Sequence, residues 1–210
     1  MSTVATPYGL KPVGSLGSAP YNGGISRAFR LTANNSVALY LNGPCTMAAG
    51  ALNGIGANGT AGTPGVNIAL GVVTGIQYTD PTLKYTLFGQ YLPVNSITAG
   101  YTNILVFVND DPDALFQVQS DGQVSQAMIG WNANMNFASA TIPGSSTTGL
   151  SSVTLDTPVN TDNYMLRVVD LVNQSSLQGG FQSTPNDAYT DCIVKWNFGA
   201  HIYHNHGVNV

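Results

Sequence analysis

Apolar and polar residues alternate with a period of two along many short segments of this chain. That period is typical of strands with one buried face. Windows of eleven or more residues lack the i, i+3, i+4, i+7 spacing of an amphipathic helix. The pattern therefore predicts β-strands, and the predicted segments are Ile25–Leu31, Ser36–Leu41, Ile68–Tyr78, Tyr85–Leu92, Asn103–Val108, Ala114–Gln119, Ser151–Leu155, Tyr164–Val172 and Tyr189–Phe198.

Turn-forming residues separate these strands and set the expected fold. Residues 49–67 and 137–150 are rich in Gly, Ser, Thr, Asn and Ala, and both are predicted to be loops. Short strands at roughly ten-residue spacing favour a jelly roll, a sandwich or a barrel. We therefore expect residues 26–210 to form a single all-β domain.

Residues 1–25 have a different character, with many Gly, Ser and Thr residues and three spaced prolines. Such a stretch is predicted to be an extended N-terminal arm without a core of its own. Large apolar residues recur along it, and an extended strand could seat them in successive pockets of a neighbouring subunit. The predicted partner-binding residues are Tyr8, Leu10, Val13 and Tyr21.

The composition adds a second argument for strands. The 210 residues include no glutamate and three lysines, and 8% of the chain is charged. Glu and Lys are the residues that solvent-facing helices use most. A charge-poor surface also suits contact with other chains, because interface cores are depleted in charge. We therefore expect a closed oligomer, with a homotrimer favoured.

Charge and hydropathy also exclude some partners. The net charge is −4 with six cationic residues, which leaves no basic patch for nucleic acid. The longest apolar run, Ile104–Val108, is far shorter than the roughly 20 residues that span a bilayer. The N-terminus lacks the pattern of a secretory signal. Without an export route, Cys45 and Cys192 are expected to be reduced and buried, although a disulfide stays open.

Two clusters are candidates for metal binding. The carboxylates of Asp110–Asp113 could bind Ca²⁺, but an Asp-Pro turn explains the same residues without metal and is the favoured interpretation. Near the C-terminus, His201, His204 and His206 could supply half of a transition-metal site, or they could be a polar tail. The polar tail is the favoured interpretation, so we predict no metal and no other cofactor.

Motifs for catalysis are missing from the sequence. It contains no G-x-S-x-G elbow, no H-E-x-x-H and no phosphate-binding loop. A pair of glutamates for acid–base chemistry is excluded by composition. We therefore predict that the chain is not an enzyme.

Six segments, in this order, resemble one protein family. They are GLKPVGSLGSAPYNGG (Gly9 to Gly24), DDPDALFQVQSDG (Asp110 to Gly122), IGWNANM (Ile129 to Met135), TGLSSVTLD (Thr148 to Asp156), YMLRVVDLV (Tyr164 to Val172) and DAYTDCIVKWNFGAHIY (Asp187 to Tyr203). The succession covers nearly the whole chain. It is similar to small β-rich head proteins of tailed bacteriophages, known as decoration, cement or minor capsid proteins.

The resemblance implies a mechanical function. Such a protein binds the outer surface of the phage head, often as a homotrimer, and holds adjoining major capsid subunits together. Its location would be the virion, assembled in the host cytoplasm, and its partners would be the major capsid protein and copies of itself. The family has no catalytic residues to transfer to this chain. The alternative is a glycan- or receptor-binding β-domain of a virion, with Tyr101, Trp131 and Tyr203 as candidate stacking residues.

Overall fold

Strands dominate the structure, a computed structural model that describes residues 4–16, 26–48, 50–56, 69–160, 164–172 and 187–197. Within these ranges a short 3-10 helix, Gln126–Met128, is the helical element, and no described helix is long and apolar enough to cross a membrane. The strands are β1 (Lys11–Ser15), β2 (Ser26–Arg30), β3 (Leu39–Tyr40), β4 (Pro44–Ala48), β5 (Ala51–Gly54), β6 (Gly71–Thr79), β7 (Thr86–Gly89), β8 (Tyr91–Leu92), β9 (Thr102–Asn109), β10 (Ala114–Gln119), β11 (Asn132–Ala133), β12 (Met135–Asn136), β13 (Thr154–Leu155), β14 (Leu166–Leu171) and β15 (Asp191–Trp196). The prediction of an all-β chain is confirmed.

Five strands form one antiparallel sheet, in the order β1-β10-β15-β14-β11. The predicted alternation holds along its centre: Phe116 and Val118 of β10 are buried, as are Cys192 and Val194 of β15, to which they pair directly. Because successive side chains of a strand point to opposite sides, Gln117 lies on the outer face. This sheet therefore buries one face against the core.

A second antiparallel sheet has the order β2-β9-β6-β4-β5, and β7 also pairs with β6. The first part of β6 pairs with β4, while its second part, from Ile76 to Thr79, pairs with β7 in a hairpin. Two further sheets have two strands each, β12 with β13 and β3 with β8. The described part of the chain is thus a set of antiparallel sheets, as in a sandwich or barrel-like domain.

The buried apolar residues form two clusters. The first cluster consists of Leu10, Ile55, Ala69, Val72, Ala114, Phe116, Val118, Val124, Ala133, Met135, Val153, Leu155, Met165, Leu166, Val168, Leu171, Cys192, Val194 and Trp196. The second cluster consists of Leu31, Leu39, Cys45, Leu52, Leu70, Val73, Ile76, Leu92, Ile104, Val106 and Val108. Strand β6 contributes to both clusters, with Val72 in the first and Val73 in the second. It therefore links the two sheets.

Several short strands differ from the sequence prediction. Ala51–Gly54 lies in the segment predicted to be a loop, yet it pairs with β4 as a hairpin. Four residues of alternation are too few to stand out beside the Gly- and Asn-rich stretch that follows. In the opposite direction, the predicted strand Ser36–Leu41 is reduced to Leu39–Tyr40, and Ser151–Leu155 to Thr154–Leu155.

A close backbone approach occurs where β6 begins. A Cβ atom at Gly71 would collide with the carbonyl oxygen of Asn109 and would lie 2.8 Å from Cγ1 of Val108. Further along the same strand, a Cβ atom at Gly75 would meet only Cδ2 of Phe107, at the ordinary distance of 3.8 Å. The packing of β6 against β9 therefore requires glycine at position 71 but not at position 75.

We expect Gly71→Ala to destabilise the protein by about 1–3 kcal/mol, because backbone atoms of β6 and β9 must separate to admit the methyl group. Gly75→Ala is the matched control in the same strand, and it should leave stability unchanged within about 1 kcal/mol. Urea unfolding of the two variants measures the difference. Equal stability of the two would contradict the close approach at Gly71.

Candidate partner-binding surfaces

The N-terminal segment lies against the body of its own chain. Strand β1 pairs antiparallel with β10 and forms one edge of the first sheet. Leu10 is fully buried in the first cluster, and its amide donates to the carbonyl oxygen of Asn42 at 2.8 Å. Two residues earlier, the Tyr8 hydroxyl donates to Oδ1 of Asp191 at 2.8 Å. The segment is therefore fixed by main-chain, side-chain and apolar contacts.

Gly9 makes this path possible. Its φ of +76° lies in the left-handed region that favours glycine, and a Cβ atom there would collide with the carbonyl oxygen of Asn42. The turn directs Leu10 inward while Tyr8 stays half-buried at the surface. A glycine between two large apolar residues is thus part of how the segment packs.

The described part of the predicted N-terminal arm thus lies on the body of its own chain. Leu10 fills the core of its own chain, so it is not available to a neighbouring subunit, and Tyr8 is held by Asp191. Val13 is half-buried at an irregularity in the pairing of β1 with β10. Tyr21 lies outside the described residues. The sequence pattern did not predict β1, because Pro12 and Gly14 interrupt the alternation of this strand.

A groove of about 330 Å³ opens beside the N-terminal segment, lined by Tyr8, Lys11, Asn42, Gln117 and Leu150. Lys11 is the charged residue among them. Burial, followed by the charge of Asp191, raises the pKa of Tyr8 well above its ordinary value of 10. The phenol therefore stays protonated at neutral pH, where it acts as a structural donor and not as a base.

The Asp110–Asp113 segment has the hydrogen bonds of a turn. The amide of Asp113 donates to Oδ1 of Asp111 at 2.9 Å, and the amide of Asp111 donates to Oδ1 of Asn109 at 3.2 Å. Asp110 is buried instead, with Oδ2 3.4 Å from Nε of Arg27. The carboxylates of Asp110 and Asp111 thus have separate partners, and the bond that Asp111 accepts from the amide two residues later is that of an Asx turn. Among the described residues, no group of three or more His, Cys, Asp or Glu side chains is placed to hold a metal ion.

The cysteines are free and buried in different clusters, Cys45 in the second and Cys192 in the first. They form no disulfide in this structure, so that alternative is not supported. Burial, followed by the charge of Asp191, raises the pKa of Cys192 to about 12, and burial likewise raises the pKa of Cys45 well above its usual range. Both thiols are therefore protonated and shielded near neutral pH.

The candidate stacking aromatics are not an exposed pair. Tyr101 is half-buried and packs edge-on against Tyr78, with ring centroids 5.2 Å apart, and Trp131 is also half-buried. Tyr203 and the three histidines lie outside the described residues. The geometry of Tyr101 and Trp131 therefore does not favour sugar stacking.

The outer face of the second sheet carries no charge across its centre. In one paired row, Phe107 lies between Ala28 and Gly75. In another, Gln77 lies between Leu105 and Phe88. We call this surface the neutral face, and its residues are Ala28, Gly75, Gln77, Thr79, Thr86, Phe88, Leu105 and Phe107. Arg30 flanks it on the edge strand β2. The face thus offers apolar side chains and neutral hydrogen-bonding groups together.

The β6–β7 hairpin holds the most exposed apolar side chains of this region. Phe88 is 77% exposed, Tyr85 54% and Leu83 52%. Sequence reasoning missed these residues as a binding surface, although a signal was present. Tyr85 and Phe88 are three positions apart in an extended segment, so they lie on opposite faces and a sheet with one buried face cannot cover both.

We expect Leu10→Ala to destabilise the protein by about 2–5 kcal/mol, because it opens a cavity in the first cluster. Val13→Ala, at a half-buried position of the same N-terminal segment, should cost clearly less. Removal of residues 2–16 should compromise folding, since it also uncovers β10. Chemical unfolding measures all three, and a Leu10→Ala variant as stable as the wild type would contradict the packing of the N-terminal segment.

We expect Tyr8→Phe to lower stability at pH 7 by about 1–2 kcal/mol through loss of the hydrogen bond to Asp191. The folded pKa of Tyr8 is raised above 10, so its stabilising effect is complete below pH 10 and declines as the pH rises beyond that value. The stability difference between wild type and variant should therefore shrink above pH 10. Urea unfolding at pH 7 and at alkaline pH measures it, and a difference that grows with pH would contradict this sign.

Comparisons of the chain with protein-family models, with curated proteins and with solved structures found no match.

Proposed function

We propose that the chain is a structural virion protein that decorates the outer surface of a phage head and stabilises contacts between major capsid subunits. The ordered succession of family-like segments along nearly the whole chain is one support for this proposal. The observation that carries it is the neutral face on a charge-poor, all-β body. Such a surface is suited to lasting contact with another protein.

The chemistry of the neutral face explains why it suits a capsid surface. Removing charged groups from water is costly unless each is paired, whereas Thr, Gln and aromatic side chains can be covered at lower cost. The half-buried Leu105 and Phe107 supply apolar area at the centre of this face. Gln77 and Thr79 supply hydrogen-bonding groups that set the orientation. Binding through this face should depend weakly on salt.

A decoration protein acts through many identical sites. Each contact can be modest, because the shell repeats it at every equivalent position and the contacts add up through avidity. Strand β6 connects the two large sheets, because it contributes Val72 to the first cluster and Val73 to the second. The structure does not test the homotrimer expected from the sequence, and the two-fold association proposed below is an alternative to it. No catalytic residues are proposed.

We expect Gln77→Lys to weaken binding to phage heads by about ten-fold or more, because it places a charge at the centre of the neutral face. The measurement is co-sedimentation of the purified protein with heads of the phage that encodes it, stripped of it beforehand. Gln126→Lys makes the same change at an exposed position of the 3-10 helix, away from the neutral face, and should bind like the wild type.

Absence of wild-type binding to the stripped heads would overturn the proposed function. Equal binding by Gln77→Lys and wild type would leave decoration possible through another surface and would remove the neutral face as the site. Raising the salt concentration separates the two kinds of contact, since a charged interface would weaken strongly and a neutral one would not.

A further inference from the structure

The sheet edges of this protein are protected in different ways. An exposed edge strand presents unpaired backbone groups, and proteins usually guard it with charge, proline, a bulge or a covering segment. In β1 these devices occur together, because Lys11 and Pro12 are adjacent and the pairing register shifts between Pro12 and Gly14. Strand β2 carries Arg27 and Arg30.

The edges of β5 and β11 are covered by other parts of the chain. At β5, Asn53 accepts from the amide of Val37 at 3.1 Å and donates to Oγ of Ser36 at 2.7 Å. At β11, Asn132 exchanges two main-chain hydrogen bonds with Val159, of 2.9 and 2.8 Å. Each of these edges therefore has a neighbouring segment of the same chain beside it, through a side chain at β5 and through the main chain at β11.

Strand β7 has none of these devices. Its sequence is Thr-Leu-Phe-Gly, without charge or proline, its register with β6 is regular, and it pairs with no described strand besides β6. The amide of Asp80 donates to the carbonyl oxygen of Tyr85, so these two residues form a hydrogen-bonded pair at the end of the hairpin next to its turn. Hydrogen-bonded and non-hydrogen-bonded pairs alternate along an antiparallel ladder. The backbone N–H and C=O groups of Leu87 and Gly89 therefore point toward β6, while those of Thr86 and Phe88 point away from it.

We propose that β7 is a self-association edge, which pairs antiparallel with β7 of a second copy of this chain about a two-fold axis. With Leu87 at the axis, Thr86 of each copy lies opposite Phe88 of the other. Each of these pairs exchanges two main-chain hydrogen bonds. The result joins the second sheets of two copies into one continuous sheet. The inference does not depend on the virion role.

The exposed apolar side chains of the hairpin supply most of the area that such a contact needs. With about 200 Å² for each fully exposed large side chain, Leu83, Tyr85 and Phe88 leave roughly 350–400 Å² in solvent on each copy. Pairing two hairpins would cover up to roughly 750 Å² of it, and the strand backbone and threonines add to that. Specific interfaces begin at about 1,000 Å² in total.

The charges of the hairpin are compatible with a second copy. Asp80 accepts hydrogen bonds from the amides of Thr82 and Leu83, at 2.7 and 2.8 Å, so its carboxylate is engaged within its own turn. In the proposed register Lys84 lies opposite the partner subunit's Gln90. The two copies of Lys84 are then about 20 Å apart, beyond the range of strong repulsion in physiological salt.

Light scattering coupled to size exclusion tests the proposal on the full chain at micromolar concentration. We expect a mass of two chains for the wild type. Phe88→Lys should weaken dimerisation by at least about ten-fold, because it places a charge in the contact and removes its most exposed apolar side chain. Ile142→Lys is the matched control, since Ile142 is 50% exposed outside the hairpin, and it should remain dimeric.

A second variant and a second measurement distinguish strand pairing from nonspecific hydrophobic association. Thr86→Pro removes an amide that points away from β6, so it should disrupt the dimer and leave the fold intact. Amide hydrogen exchange at Thr86 and Phe88 should be slow in the wild type and fast in Phe88→Lys, with circular dichroism unchanged. A mass of one or three chains for the wild type, or a dimeric Phe88→Lys, would overturn the proposal, because antiparallel self-pairing of one strand requires a two-fold axis.

Discussion

The close approach of β6 to β9 is the constraint on which the rest of the structure depends. At Gly71 the backbone of β6 passes so near Asn109 that no side chain fits between them. Immediately afterwards Val72 enters the first cluster and Val73 enters the second, since neighbouring residues of a strand point to opposite sides. Strand β6 thus contributes side chains to both buried clusters. The same strand then continues outward to carry the β7 hairpin, so the position of that hairpin is fixed by contacts made in the buried part of the molecule.

The scarcity of charge has consequences beyond the choice of strands over helices. A β-protein with few charged residues cannot protect every edge with Lys, Arg or Glu, and this chain places its cations selectively. Two of the six are Arg27 and Arg30 on the edge strand β2, and Lys11 guards β1. Arg27 also reaches the buried carboxylate of Asp110. Strand β7 therefore differs from β1, β2, β5 and β11, the other outer strands of the two large sheets.

The parts of the fold that the sequence predicts are those with long and regular alternation. Strands β9, β10 and β15 were predicted to within about two residues, because each presents several buried positions in succession. The N-terminal strand escaped prediction because β1 carries Pro12 and Gly14, residues that usually mark turns, and because its partner β10 is about 100 residues away in sequence. Asn35 shows a similar limit. It is fully buried with hydrogen bonds to Val37, Pro93 and Ser96, and no local pattern distinguishes it from an exposed loop asparagine.

The packing of the N-terminal segment also bears on where partners can bind. An apolar side chain stabilises whichever surface covers it, but it cannot fill two pockets at once. To seat Leu10 on a neighbour, the chain would have to leave a cavity in its first cluster, at a cost of about 2–5 kcal/mol before any contact is gained. Phe88 carries no such cost, because 77% of its surface is already in water. Burying it against another chain is a net gain of apolar contact. Partner binding by this protein is therefore expected from residues that the body leaves uncovered, on the neutral face and the β7 edge.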